Sequence, residues 1–151
     1  MRAWVVAAAL ALLLTGCAEP VRDPYGRLTA ATTADAYAVK AGDCVGELGA
    51  GSVTKIELLP CEQEHFWEAF LLTSLEGTNY PGDVALAEQS EKRCMDAFAD
   101  FVGIAVKKSK YSYTYLSPTE QTWKSANDRA QVCLAGQPNR GGTGSLRGLA
   151  K

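Results

Sequence analysis

The hydrophobic positions of this chain begin with one unbroken run. Residues 4–14 carry no polar side chain, and the positively charged Met1-Arg2 precedes them. A run of about eleven residues is too short to cross a hydrocarbon core, which needs roughly 20 helical residues. The length of the run and its charged flank are those of a secretory signal peptide. The pattern therefore predicts a signal peptide over residues 1–16.

Downstream, five shorter apolar segments predict strands. They are residues 44–48, 53–58, 65–74, 111–116 and 129–134. The densest of them, 65–74, is typical of a central strand covered on both faces. In residues 111–116, tyrosines alternate with other side chains at the two-residue period of a strand.

One long stretch has the helical period instead. From Val84 to Val102, four apolar residues share one face: Ala87, Cys94, Phe98 and Phe101. Asp83 is the expected N-cap, and Gly103 is expected to end the helix. Ser117-Pro118-Thr119-Glu120 has the form of a capping box with proline at the first helical position, which predicts a short helix towards Trp123. The predicted fold class is α+β, a small, mostly antiparallel sheet with one long helix packed across it.

The remaining segments show no sustained apolar period. Residues 17–40 are rich in alanine, threonine and charged residues, and they predict a flexible tether that spans on the order of 25 Å. The globular domain is predicted over residues 41–148. Its glycine-rich part from Gln137 onward is expected to be a loosely packed tail.

The end of the apolar run adds a membrane anchor to this picture. Leu14-Thr15-Gly16-Cys17 resembles the lipobox of bacterial lipoproteins, in which the cysteine receives a diacylglyceryl group. Two acyl chains give stable anchoring. An ordinary secretory signal with a cysteine near its cleavage site is the alternative. The lipobox predicts a protein on the extracytoplasmic face of the cell membrane, attached through the lipid on Cys17.

Four cysteines remain: Cys44, Cys61, Cys94 and Cys133. An even number in an exported domain indicates a disulfide framework, and four cysteines allow three connectivities. Cys44–Cys61 and Cys94–Cys133 are favoured, because each pair joins segments that are consecutive in the predicted fold. Closing the shorter loop stabilises the fold by about 3 kcal/mol and closing the longer one by roughly 4 kcal/mol.

Charge and composition exclude several classes of protein. The formal net charge is −2, with no basic stripe, so nucleic-acid binding is not expected. The chain has one histidine, and no two cysteines are separated by the two intervening residues typical of zinc sites. No metal site and no cofactor are therefore predicted. No nucleophile is recognisable either, and we predict that the protein is not an enzyme.

Six side chains remain as candidates for binding. His65 is a general base oriented by Glu68, or a histidine that is hydrogen-bonded at the start of a strand. Tyr113 and Tyr115 stack on the sugar rings of a wall polymer, or pack on the helix. Asp128 and Arg129 present a guanidinium to an anion, or Arg129 pairs with a carboxylate and fixes the start of the last strand.

Several short motifs occur in order between Gly42 and Gly148. In the first half they are Gly42-Asp43-Cys44, Pro60-Cys61 followed by His65 and Glu68, and Tyr80-Pro81-Gly82. In the second half they are Cys94, Phe101-Val102-Gly103, Tyr115, Pro118-Thr119 with Trp123, Asp128-Arg129, Cys133, and the closing segment 143–148. Together they resemble the septum-formation domain family of actinobacteria. Asn127 departs from the pattern, because members of that family more often carry glycine there.

The resemblance implies a role connected with septum formation at the cell envelope, and it implies no known reaction. Together with the lipobox, it leads to the hypothesis of a non-enzymatic envelope lipoprotein that binds a septal protein, a cell-wall protein or peptidoglycan. One alternative is a ligand-capturing lipoprotein with no specific role in division, which needs a pocket of roughly 300 Å³ between the sheet and the helix. Another is a wall-active hydrolase that uses His65 with Glu68.

Overall fold

The structure is a computed structural model that describes residues 19–51 and 53–151. The predicted signal peptide and the predicted lipid attachment site, Cys17, lie outside the described residues. Within the described residues, none of the helices is both long enough and apolar enough to cross a membrane.

Six antiparallel strands form one curled sheet in the order β1-β3-β2-β4-β6-β5. The strands are β1 Thr32–Asp35, β2 Cys44–Val45, β3 Lys55–Leu59, β4 Trp67–Ser74, β5 Ser112–Leu116 and β6 Ala130–Gly136. The long helix α1, Asp83–Val102, contacts β4, β5 and β6, and a short helix α2, Glu120–Ser125, precedes β6. This arrangement confirms the predicted α+β fold class, with its antiparallel sheet, long helix and two disulfides.

The strand β4 lies between β2 and β6, and its first half is buried on both faces. Trp67 and Ala69 pack in an apolar cluster with residues of the other strands, whereas Phe70 joins a second cluster beneath α1. The pairing of β4 with β6 shifts between Ala69 and Leu71, a β-bulge that breaks the simple alternation of faces. The second half of β4 is more open, and Leu72 is exposed.

Both helices begin at residues other than those predicted. Asp83 is the first residue of α1, and the preceding Gly82 is the cap with a φ of 96°. The prediction that Asp83 is the N-cap is therefore wrong, whereas Gly103 ends α1 in the left-handed conformation as expected. Helix α2 begins at Glu120, because Thr119 and Thr122 form the reciprocal capping box. Pro118 thus precedes the helix instead of opening it.

Both predicted disulfides are present. Cys44–Cys61 has a Cα–Cα distance of 5.2 Å and joins β2 to the residues that follow β3. Cys94–Cys133 has a Cα–Cα distance of 5.4 Å and joins the middle of α1 to β6. The second disulfide therefore fixes the helix on the sheet.

The predicted tether over residues 17–40 is wrong from Arg22 onward. Arg22 donates two hydrogen bonds to the buried carboxylate of Asp43, at 2.6 and 2.8 Å. Leu28 and Val39 are buried in the core, and β1 pairs with β3 along its whole length. No regular spacing of apolar residues in this segment predicts its packing, because the buried residues are widely spaced and their partners lie elsewhere in the chain.

The segment after Gln137 is also more ordered than predicted. Gly142 exchanges two backbone hydrogen bonds with His65, each 2.9 Å long. Further along, the Gly144 N–H donates to the carbonyl of Cys61 and the Gly148 N–H to that of Phe101. The glycine-rich segment thus runs back along the domain, held by its own backbone groups.

The turn before β6 explains the departure at Asn127. Asn127 has a φ of 51°, which lies in the left-handed region that glycine adopts without strain and that asparagine tolerates better than other residues. A glycine in the same place would suit the same backbone.

We expect Asn127→Ala to lower the free energy of unfolding by about 1 kcal/mol, because a β-carbon is disfavoured at this φ. Asn127→Gly should stay within a few tenths of a kcal/mol of the original chain. Urea unfolding of both variants measures this difference. Ala126→Gly is the control, because it introduces glycine at a neighbouring residue whose φ of −116° does not favour glycine. An alanine variant as stable as the original chain would contradict the backbone argument.

Candidate functional site

His65 and Glu68 are both buried, with exposed fractions of 3% and 4%, but they serve different parts of the chain. The Nδ1 atom of His65 lies 2.8 Å from the carbonyl oxygen of Gln63. The Glu68 carboxylate accepts hydrogen bonds from the Ser145 hydroxyl at 2.7 Å and from the Leu146 N–H at 2.6 Å. Glu68 therefore holds the returning C-terminal segment, and its two oxygens are not used to orient the imidazole.

Asp128 and Arg129 lie together but are used within the fold. The Asp128 carboxylate accepts from the Thr122 hydroxyl at 3.0 Å and from the Ala130 N–H at 2.9 Å. The Arg129 guanidinium lies over the Trp123 ring, 3.6 Å from its centroid. It also donates to the carbonyls of Trp123 and Asp128. Arg129 thus fixes α2 at the start of β6, as one of the two interpretations predicts. Its partners are backbone carbonyls and the Trp123 ring, and not the carboxylate that this interpretation names.

Tyr113 and Tyr115 have different surroundings. The Tyr113 hydroxyl donates to the Glu91 carboxylate at 2.6 Å, and its ring lies 6.1 Å from that of Phe98. Tyr113 is thus packed on α1. Tyr115 also packs at the helix side of the sheet, but it borders an open cleft.

Burial and hydrogen bonds to carboxylates raise the pKa of two tyrosines to about 12. Tyr113 is desolvated and bonded to Glu91, and Tyr80 is desolvated and bonded to Asp83. Their folded pKa values exceed the unfolded value of about 10. The stability that they contribute is therefore complete below about pH 10 and is lost as the pH rises through about 12.

We expect an absorbance titration of tyrosinate in the folded chain to show two late steps near pH 12, one from Tyr80 and one from Tyr113. Tyr113→Phe should remove one of the two late steps and leave the other. If all tyrosines of the folded chain ionised in a single step near the ordinary pKa, the described surroundings of Tyr80 and Tyr113 would be wrong.

The cleft beside Tyr115 is the strongest candidate for a binding site. We call it the β5 cleft, and it has a volume of about 380 Å³. Its apolar part comes from the loop between β2 and β3, from β4, from β5 and from the residues after β5, and includes Leu48, Val53, Trp67, Tyr115, Leu116 and Pro118. Thr114, Ser117 and Thr119 add hydroxyl groups to the lining, and Asp83 adds a carboxylate.

The position of β5 makes this cleft accessible from the side. The strand is the last in the sheet, and within the described residues it pairs only with β6. Strand β5 therefore has one edge that no other described strand covers, next to an aromatic cleft. An exposed sheet edge can hydrogen-bond an extended chain.

Side chains fill the interface between the sheet and α1, which is where ligand capture needs a pocket. Phe70 lies between Phe98 and Phe101, with ring centroids 6.3 and 5.2 Å away, and the Cys94–Cys133 disulfide lies in the same cluster. A larger, open depression of about 530 Å³ is lined by Leu71 of β4 and by one side of α1, where Ala97 stands among the charged residues Lys92, Arg93, Asp96 and Asp100. The packed cluster counts against a ligand buried beneath the helix, and the open depression lies at the edge of the same interface.

Sequence reasoning missed a buried polar connection between α1 and β6. Gln131 donates to the Ser90 hydroxyl and accepts from the Arg93 guanidinium. Ser90 also bonds to Ser117, which lines the β5 cleft. The available signal was a serine on the apolar face of α1 and a glutamine inside an apolar strand, each of which needs a polar partner when buried.

The family assignment rests on a direct comparison. A model of the septum-formation family matches residues 41–149, well over half of the chain. The chain therefore belongs to the septum-formation family, as its motifs indicate, and its role is related to septum formation. No curated protein and no solved structure gives a significant match.

Proposed function

We propose that the chain is an envelope lipoprotein that takes part in septum formation by binding, without catalysing a reaction. Its anchor is a lipid on Cys17, and its domain lies on the extracytoplasmic face of the cell membrane. The lipobox-like sequence supports the anchor, and two disulfides suit an oxidising compartment. The partner is a septal protein, a cell-wall protein or peptidoglycan.

The β5 cleft is the observation that carries the binding proposal. Its lining includes the aromatic residues Trp67 and Tyr115 together with Ser117 and Thr119. An aromatic face flanked by a few hydroxyl groups gives both contact area and orientation, which is how peptides and sugars are recognised. The surroundings of Glu68 favour binding over catalysis, because its carboxylate already accepts hydrogen bonds from Ser145 and Leu146.

The binding proposal is tested by the position of a tagged full-length chain in dividing cells of the native host. We expect enrichment at the septum, which Tyr115→Ala abolishes. Tyr111→Ala is the matched control, because Tyr111 packs against the same apolar cluster but does not line the cleft. Equal septal enrichment in both variants would contradict binding through the β5 cleft.

The anchor is tested separately with Cys17→Ser. The mature original chain should remain with the membrane fraction and carry the mass of an attached diacylglyceryl group. The serine variant should lack that mass and leave the membrane fraction. If the original chain carried no lipid, the proposed anchoring would be wrong.

A further inference from the structure

The first described segment forms a small, well-defined loop. We call residues 21–28 the Tyr25 loop, closed by a β-bridge between Arg22 and Leu28. The Asp23 carboxylate accepts the N–H groups of Tyr25 and Arg27, each at 2.9 Å. Because several hydrogen bonds define the same turn, the tip of the loop has a fixed shape before it meets a partner.

This rigid loop displays apolar side chains to solvent. Tyr25 is 85% exposed and Val21 is 64% exposed. The Arg27 guanidinium lies 5.6 Å from the centre of the Tyr25 ring and pairs with Asp23. A tyrosine ring with a neighbouring arginine suits the boundary between lipid headgroups and acyl chains, where aromatic rings concentrate and long basic side chains reach the headgroups.

The path of the chain limits how far this loop can lie from a lipid on Cys17. Arg22 is tied to the domain through Asp43, and five residue steps separate Cys17 from Arg22. Each step spans at most about 3.5 Å, so the connection reaches about 17 Å at full extension. A freely moving tether of residues 17–40 would not impose this limit, but residues from Arg22 onward pack on the domain.

We propose that the Tyr25 loop is a second, non-covalent contact of the protein with the lipid bilayer. This inference rests on the proposed lipid anchor at Cys17. Tyr25 and Val21 enter the interfacial region of the bilayer beside the anchor. Because Arg22 is bonded to Asp43, this contact also sets the orientation of the domain on the membrane. The side of the domain that includes Gly42 and Cys61, which line one depression with Arg27, then faces the membrane.

The test uses the mature lipidated protein in vesicles of phosphatidylglycerol and phosphatidylethanolamine, with and without brominated acyl chains. Tyr25→Trp places a fluorophore at the tip of the loop. Val84→Trp is the control, because Val84 is 73% exposed but lies at the start of α1. Trp67 and Trp123, the tryptophans of the original mature chain, are buried and give the same background in both variants.

We expect brominated lipid to quench the added fluorescence of Tyr25→Trp several-fold more than that of Val84→Trp. If both proteins float with the vesicles but are quenched equally, the loop does not enter the bilayer, and a contact with an envelope protein becomes the explanation for its exposed ring. If the lipidated protein fails to float with the vesicles, the anchor and this inference are both overturned.

Discussion

A chain that begins at Ala41 is expected to be largely unfolded under conditions in which a chain from Glu19 is stably folded. The shorter chain keeps the whole region matched by the family but loses β1, the buried Leu28 and Val39, and Arg22. Each large apolar side chain contributes about 1.5–3 kcal/mol when buried. The sum rivals the net stability of a domain, which is about 5–15 kcal/mol.

The sharpest single change in this segment is Arg22→Met. Asp43 is buried, and without the guanidinium its carboxylate keeps, among the described residues, only the Lys40 N–H as a hydrogen-bond donor. Breaking a buried ion pair by removing one partner costs about 3–5 kcal/mol. The hydrogen bond to Asp43 raises the pKa of Arg22 above its ordinary value.

Urea unfolding of chains that start at Glu19 provides the measurement. Arg27→Met is the matched control, because Arg27 is exposed and its pair with Asp23 is worth at most about 1 kcal/mol. Arg22→Met combined with Asp43→Leu should recover part of the loss, since no buried charge is then left without a partner. Equal stability of Arg22→Met and Arg27→Met would contradict the integral role of this segment.

The predictable parts of the fold are those whose signal is local. The helical period fixes α1, alternation fixes β5, and the dense apolar run fixes β4. The four cysteines could be paired because each pair joins neighbouring segments of the predicted fold. The packing of residues 22–40 has no local signal of this kind. Arg22 and Asp43 are 21 residues apart, and the strand β1 lies between them in the sequence.

Of the residues that line the β5 cleft, the sequence predicts a binding role for Tyr115 alone. The alternation in β5 singled out Tyr115, but the cleft forms where the loop after β2 approaches the end of β5 across the curled sheet. The role of Glu68 was equally hidden, because Ser145 is 77 residues away and lies in a glycine-rich segment without a period. Contacts of this kind depend on the whole topology, and no short window of sequence contains them.

The second large effect is expected from removing the disulfide between α1 and β6. Cys94 and Cys133 are 39 residues apart, so the chain-entropy estimate for their loop is about 4 kcal/mol. Cys94→Ala with Cys133→Ala should lower the melting temperature by roughly 10–20 °C for a domain of this size. Alanine is the suitable replacement, because both sites are buried and a serine hydroxyl there would need a new partner.

The other disulfide supplies the control for this experiment. Cys44→Ala with Cys61→Ala opens a loop of 17 residues, for which the same estimate is about 3 kcal/mol. The α1–β6 variant should therefore be the less stable of the two in thermal unfolding followed by circular dichroism. It should also lose near-ultraviolet signal first, because its disulfide lies in the cluster that holds Phe70, Phe98 and Phe101 together. If the Cys44–Cys61 variant were the less stable, the fold would depend mainly on β2 and the segment around Asp43, and the aromatic contacts and hydrogen bonds of α1 would hold the helix on the sheet without the disulfide.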